Sequence, residues 1–398
     1  MTTATALRAT ARRLLLDAAG ESRGWQVLHS HLDACIALLE LERVTGEECG
    51  ARALLGESFE LLRASTAMMP WLYGGAAQAG WAALTYSRVV KAAPPALGAI
   101  DAIVIRWVEQ FPDDGDVDLP RGLLGLGVYG LAHPSASVQN KIVDGVLRVI
   151  GERLERDPAG GGYLRLADTA YRRANKPGEI GHRDLGMAHG NAGVQAFLAA
   201  VARGCSGGPS QRATALLAEI APWLGRQHGL MPGAVFPQSV ETRYRSTRSA
   251  WCYGDPGMTL SLLMAADALP GPDGDQAREL ARRTAAAVRR RDQEHMGIHD
   301  ACLCHGAAGL LYFGVRMAEA YPADGWGSFI ERWREDLERR VAAGPLTYLF
   351  PTGHAPNRSL LEGDLGVALV LLYSSARVRP LWEELLLTAV PANAGLGV

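Results

Sequence analysis

Three words in the sequence hold the side chains best suited to chemistry. They are Met187-Ala188-His189-Gly190-Asn191-Ala192-Gly193, Trp251-Cys252-Tyr253-Gly254-Asp255-Pro256-Gly257 and Cys302-Leu303-Cys304-His305-Gly306-Ala307-Ala308-Gly309. Two thiolates and an imidazole, from Cys252, Cys304 and His305, with a fourth position left open fit tetrahedral zinc. Spacing alone is a weak argument, because the paired C-x-x-C knuckles of a structural zinc site are missing and Cys302-x-Cys304 by itself is a poor chelate. The ordinary alternative for any single cysteine is a buried apolar filler. A Cys-His dipeptide and a Trp-Cys-Tyr word at the same register of one repeated unit argue against that alternative.

The repeated unit is a pair of small residues three apart, followed at once by an apolar helical stretch. It occurs as Ala77–Gly80 before Trp81-Ala82-Ala83-Leu84, then Gly122–Gly125, Gly190–Gly193, Gly254–Gly257, Gly306–Gly309 and Gly363–Gly366. Copies recur at intervals of roughly 45 to 70 residues, room for two helices and their loops, so the chain reads as stacked helical hairpins. With 46 glycines, single G-x-x-G matches arise by chance; six that each precede an apolar helix do not. Glycine there permits unusual backbone angles and lets backbones approach closely, and Asp255 and Pro256 suit an N-cap and a first helical residue. If the hairpins close into a ring, equivalent positions converge on one end of a central cavity.

Ala, Leu and Arg dominate and β-branched alternation is nearly absent, so the expected fold class is all-α. Gly, Pro, Asp and Ser mark loops at 111–120, 157–162, 176–181, 204–209, 269–275 and 353–356. None is long enough for a linker, and residues 1–398 read as one domain. The first helix is expected near Ala4 to Ala19 with Leu7, Leu14, Leu15 and Leu16 on its apolar face, the other reading of this Arg-containing stretch being an amphipathic targeting segment.

A chain of 398 residues, 48% hydrophobic and 21% charged, can bury a large core without disulfides. A net charge of −2 with no long run of one sign argues against a nucleic-acid groove, although Arg172, Arg173 and Lys176 form a local basic patch. No apolar run approaches the roughly 20 residues a spanning helix requires, so the expected location is the cytoplasm, with at most peripheral membrane association. The six cysteines suit metal or catalytic thiols better than a disulfide framework.

The three words resemble the G-x-x-H-G-x-x-G, W-C-Y-G-x-P-G and C-H-G-x-x-G signatures of the lanthionine cyclases, the LanC family. The resemblance runs from the degenerate copy near Ala77 to Gly366, with the strong signatures between Asp184 and Gly309. It implies an α/α toroid, an inner ring of helices within an outer one, with one catalytic zinc at its mouth on Cys252, Cys304 and His305; Cys302 lies outside the pattern. It also implies catalytic roles for His189, Arg248 and Tyr253. The family's essential aspartate falls on Asp118, where the local word departs from the pattern: Val117 replaces a tyrosine and Pro120 follows closely. A loop aspartate beside Asp113, Asp114 and Asp116 is the alternative there.

The implied substrate is a dehydrated precursor peptide, with a lanthipeptide dehydratase and a transporter as further partners in antibiotic biosynthesis. The implied reaction adds peptide cysteine thiols to dehydroalanine or dehydrobutyrine, forming (methyl)lanthionine thioether rings. Two thiolate ligands neutralise the zinc dication, so a third, substrate sulfur loses its proton yet stays electron-rich. The resulting enolate must be protonated, a task that falls to His189. Whether His189 or Asp118 first takes the thiol proton, and whether Arg248 pairs with Asp118 or is structural, stays open at this level; so does Tyr253 as a hydrogen-bond donor near the zinc. Two other readings remain: a LanC-like protein that binds zinc and glutathione without closing rings, and a zinc-dependent thiol alkyltransferase of the prenyltransferase type.

Overall fold

A computed structural model of the chain describes residues 3–24, 27–65, 68–229, 235–243, 247–376 and 378–389. Its helices alternate in character along the chain. The first run is α1 (Thr3–Gly24), α2 (Leu28–Thr45), α3 (Ala51–Ala64), α4 (Ala76–Val89), α5 (Gly98–Glu109), α6 (Leu123–Ala132) and α7 (Ala136–Arg153). After the short α8 (Ala170–Asn175) come α9 (Asn191–Gly204), α10 (Gly208–Gly225), α11 (Asp255–Ala268), α12 (Pro272–Arg290), α13 (Ala307–Ala320), α14 (Gly327–Ala342) and α15 (Asp364–Ser375).

Helices α2, α4, α6, α9, α11, α13 and α15 are apolar on nearly every face and almost wholly buried, which is the signature of helices with no solvent side. Helices such as α3, α12 and α14 carry a single buried stripe and charged outer faces. Six of the buried helices pack against the helix that follows them, and α15 packs against α1; α2, α4, α6, α9 and α11 touch in succession, as do α13, α15 and α2, and the bond from Trp251 N–H to Cys304 O links the loops entering α11 and α13. Among the described residues the result is a ring of seven helices inside a ring of seven. Four short strands form two hairpins, β1 (Glu155–Arg156) with β2 (Gly162–Tyr163) and β3 (Tyr348–Phe350) with β4 (Gly353–Ala355). The all-α class stands, while the loop expected at 353–356 is largely β4.

Three local expectations need correction. The first small-residue pair is not Ala77–Gly80, which lies inside α4; the residue that caps α4 is Gly75, in the same extended conformation as Gly122, Gly190, Gly306 and Gly363. Its partner three residues on is Gln78. Next, Asp255 is the first helical residue rather than the cap: Gly254 takes the cap at φ 126°, and the Asp255 carboxylate instead accepts the backbone N–H groups of Val235 and Phe236. Finally, the glycines are required chiefly by close approach. A Cβ on Gly125, Gly193 or Gly309 would press into the carbonyl oxygen of Leu119, Met187 or Leu303 in the loop that leads into its helix, and of the capping glycines only Gly254 has a left-handed φ.

These loops are laced to one another. The Tyr73 N–H donates to Pro120 O at 3.1 Å, Leu119 N–H to Ala188 O at 2.9 Å, Met187 N–H to Cys252 O at 2.9 Å, Trp251 N–H to Cys304 O at 3.1 Å and Cys304 N–H to Leu361 O at 2.8 Å. Among the described residues no such bond leads into helix α2. Its Asp33 carboxylate closes the circuit, accepting Leu360 N–H at 2.9 Å and the Gln78 side-chain amide at 2.7 Å. A girdle of backbone hydrogen bonds therefore holds the inner-helix N-termini at one end of the ring.

At the other end the segment after α15 enters the ring. Leu385, Leu386 and Leu387 are buried, the Tyr73 hydroxyl donates to Leu385 O at 3.3 Å and the Trp251 indole donates to Leu386 O at 3.1 Å. Glu383 accepts from Tyr312 of α13, and Glu384 pairs with Arg88 of α4. The ring is thus closed below by its own chain.

Candidate metal and thiol site

The girdle places the last two residues before each capping glycine on one surface. These residues, running from Tyr73-Gly74 through Pro120-Arg121, Ala188-His189, Cys252-Tyr253 and Cys304-His305 to Leu361-Glu362, all line a single cavity of about 740 Å³. Convergence at one end of the ring follows from repetition: the same backbone path in each copy delivers the same two positions to the same wall.

Cys252, Cys304 and His305 come together there, with one ligand atom from each within 4.8 Å of the others. Cys252 and Cys304 are buried, and His305 Nδ1 is buried without a hydrogen-bond partner. A polar nitrogen left unpaired beside two thiols is costly unless something electrophilic binds there. The two thiols behave as a pair. A hydrogen bond from Cys304 holds the Cys252 thiol well below its usual range against the effect of burial, with His305 and Arg248 assisting, so one proton leaves the pair readily. The donor set and the orphan nitrogen together fit a tetrahedral metal ion such as zinc with an open position.

A second group, Asp300, Cys302 and His305, is equally compact. It is the poorer candidate. Neither Asp300 nor Cys302 lines the cavity, the Asp300 carboxylate already accepts N–H groups from Cys302 and Leu349, and burial together with Asp300 pushes the Cys302 thiol far up. Its sulfur accepts the His305 N–H at 3.4 Å, which steadies the turn that presents His305.

His189 Nδ1 lies 3.1 Å from Asp118 Oδ2, and the other Asp118 oxygen accepts Arg121 N–H at 2.9 Å. Burial alone would lower the His189 pKa, but the bond to Asp118 and the charges of Asp118 and Asp184 outweigh it and hold the imidazole above its ordinary value. The His189 ring stacks on Tyr253 with centroids 5.6 Å apart and planes at 29°. Buried Asp184, raised to about 7 by desolvation, interacts with the Tyr253 hydroxyl and accepts Gly186 N–H. Arg248 is exposed on the cavity wall, and among the described residues it makes no ion pair with Asp118. The cavity also takes His29 and Asp33 from α2, Gln78, Trp71 and Glu362. None of these lies in a recognisable word; the one available signal was the i, i+4 spacing of His29 and Asp33 on a helix face.

Three comparisons place this architecture among known proteins. The sequence model of the family described as lanthionine synthetase C-like protein matches residues 32–387. The nisin biosynthesis protein NisC of Lactococcus lactis subsp. lactis is 27% identical over 218 residues, 52% of this chain and 49% of that protein, so the aligned part spans about half of the relative's length. A solved structure of a nisin cyclase superposes with a TM-score of 0.68 at 20% identity, covering 90% of both chains, and shares the α/α toroid fold.

Proposed function

Because the chain belongs to the lanthionine synthetase C-like family, we propose that it is a zinc-dependent lanthipeptide cyclase, closing thioether rings by adding peptide cysteine thiols to dehydroalanine or dehydrobutyrine. The observation that supports this best is the presence in one cavity of a two-thiol, one-imidazole group and a separate, carboxylate-backed imidazole. Bound to the first group, zinc would lower the pKa of a substrate thiol while its two thiolate ligands keep that sulfur nucleophilic.

The remaining work belongs to side chains. Addition at the β-carbon leaves a carbanion at the α-carbon, stabilised as an enolate, and His189 delivers a proton there. Its raised pKa keeps it an imidazolium over more of the neutral range. Asp118 fixes the ring through Nδ1, leaving Nε2 to face substrate, and Tyr253 holds the other face of the ring by stacking. Arg248, exposed and cationic, is placed to attract the enolate oxygen.

The deciding experiment measures zinc per chain together with ring closure on a dehydrated cysteine-containing peptide, scored by loss of free thiol to an alkylating reagent. About one zinc per chain and zinc-dependent loss of thiol support the reading. Zinc without ring closure, with glutathione bound in its place, favours the binding protein. Transfer of a prenyl group to a peptide thiol sinks the cyclase in favour of an alkyltransferase.

A further inference from the structure

Five of the six positions immediately before the capping glycines carry a polar, cavity-lining side chain: Arg121, His189, Tyr253, His305 and Glu362. The sixth is Gly74, with φ +86°. A Cβ there would stand 3.3 Å from the Cβ of His29. Glycine thus leaves no side chain at this place in the ring, and His29, from the first turn of α2, lies against it and lines the same cavity.

His29 is exposed to the cavity and makes no hydrogen bond among the described residues, so its nitrogens are open to a ligand. One turn along the same face sits buried Asp33. Asp33 is tied through Leu360 to the loop whose Leu361 carbonyl holds the Cys304 N–H. The ring order therefore sets His29 two loops from Cys304 on one side, while His189 lies one loop from Cys252 on the other. His29 and His189 thus line the same cavity as the two thiols from opposite sides in the ring order, His189 bonded to Asp118 and His29 one helical turn from Asp33. Among the titratable groups that line the cavity with His29, Asp33 lies on its own helix, Tyr73 in the first loop and Glu362 in the last.

We propose that His29 is a second catalytic histidine, the acceptor of the substrate thiol proton, carried on the helix that Asp33 ties to the last loop. The assignment rests on the thiol-addition reading above. In the balanced sequence, the S–H bond breaks and its proton passes to a His29 nitrogen. The sulfur pair then forms the C–S bond as the C=C π bond breaks, and the electron pair at the α-carbon takes a proton from His189. His29 returns its proton to water and His189 regains one, so the net change is one proton moved from sulfur to carbon.

Zinc-loaded protein would be titrated with N-acetylcysteine amide by calorimetry near neutral pH in two buffers of different ionisation enthalpy, which counts protons released per thiol bound. Wild type and a His295→Gln control should release fewer protons than His29→Gln and His29→Asn, all at equal zinc content, because His29 retains part of what the thiol gives up. Equal release from wild type and both variants overturns the assignment while leaving thiol binding intact. If wild type binds no thiol, the cyclase reading fails and this assignment fails with it.

Discussion

His189 is pulled in two directions, by burial toward the neutral ring and by Asp118 toward the imidazolium, and the carboxylate prevails. Asp118→Asn keeps the shape but removes the charge. The alkaline limb of ring closure should then move to lower pH by about one unit, the order of shift a neighbouring carboxylate produces; an unmoved limb would mean that another group donates the proton. At the metal group the expected order is sharp: Cys252→Ala, Cys304→Ala and His305→Ala lose zinc on elemental analysis, while Cys302→Ala keeps it, since its protonated thiol faces Asp300 and not the cavity. Asp184 gives a stability signature. Its folded pKa of about 7 stands above the unfolded value of about 3.9. Between these values the folded state holds a proton that the unfolded state releases, so this contribution is present in acid and lost as pH rises through about 7. Asp184→Asn should flatten the fall in urea midpoint over that window.

At the scale of the elements, the loops into α6, α9, α11, α13 and α15 are so tight that a Cβ on the helix's third residue would press on the loop's own carbonyl. Gly309→Ala should therefore destabilise by about 1–3 kcal/mol in urea unfolding, the range for strain at a packed backbone, whereas Gly20→Ala, with nothing near its added methyl, should be neutral or slightly stabilising. The girdle makes a second demand. Asp33→Leu strands the Leu360 N–H and the Gln78 amide, and leaving two buried donors unpaired costs about 2–4 kcal/mol. The same loop carries the acceptor for Cys304, so this variant should also lose zinc to a chelator faster than wild type. Retention at the wild-type rate would detach the girdle from the metal group.

For the molecule as a whole, the described residues after α15 reach helices on several sides of the ring, and the carbonyls of Leu385 and Leu386 take the Tyr73 hydroxyl and the Trp251 indole. Leu386→Ala would open a void at a fully buried position and should cost about 2–5 kcal/mol, more than most substitutions on the exposed faces of the outer helices. A loss below about 1 kcal/mol would show that this region repacks freely. Among the described residues no helix is long and apolar enough to cross a membrane.

The all-α class, the cassettes at Gly122, Gly190, Gly254, Gly306 and Gly363, and the cysteine and histidine words were legible in the sequence because each depends on local chemistry: propensity, a close backbone approach, a donor atom of the right kind. The register of the first copy misled, because its cap is Gly75 and the third helical residue is Gln78, whose amide accepts Gly74 N–H and donates to Asp33. Nothing local marks α2 as the seventh inner helix, since its place is set by packing and by the bonds of the Asp33 carboxylate to Leu360 and Gln78. Only closure of the ring brings Asp118 to His189 across 71 residues and sets His29 against Gly74. Local spacing specifies which atoms a chain can offer; which of them share a cavity is decided by the hydrophobic burial that bends fourteen helices into two rings.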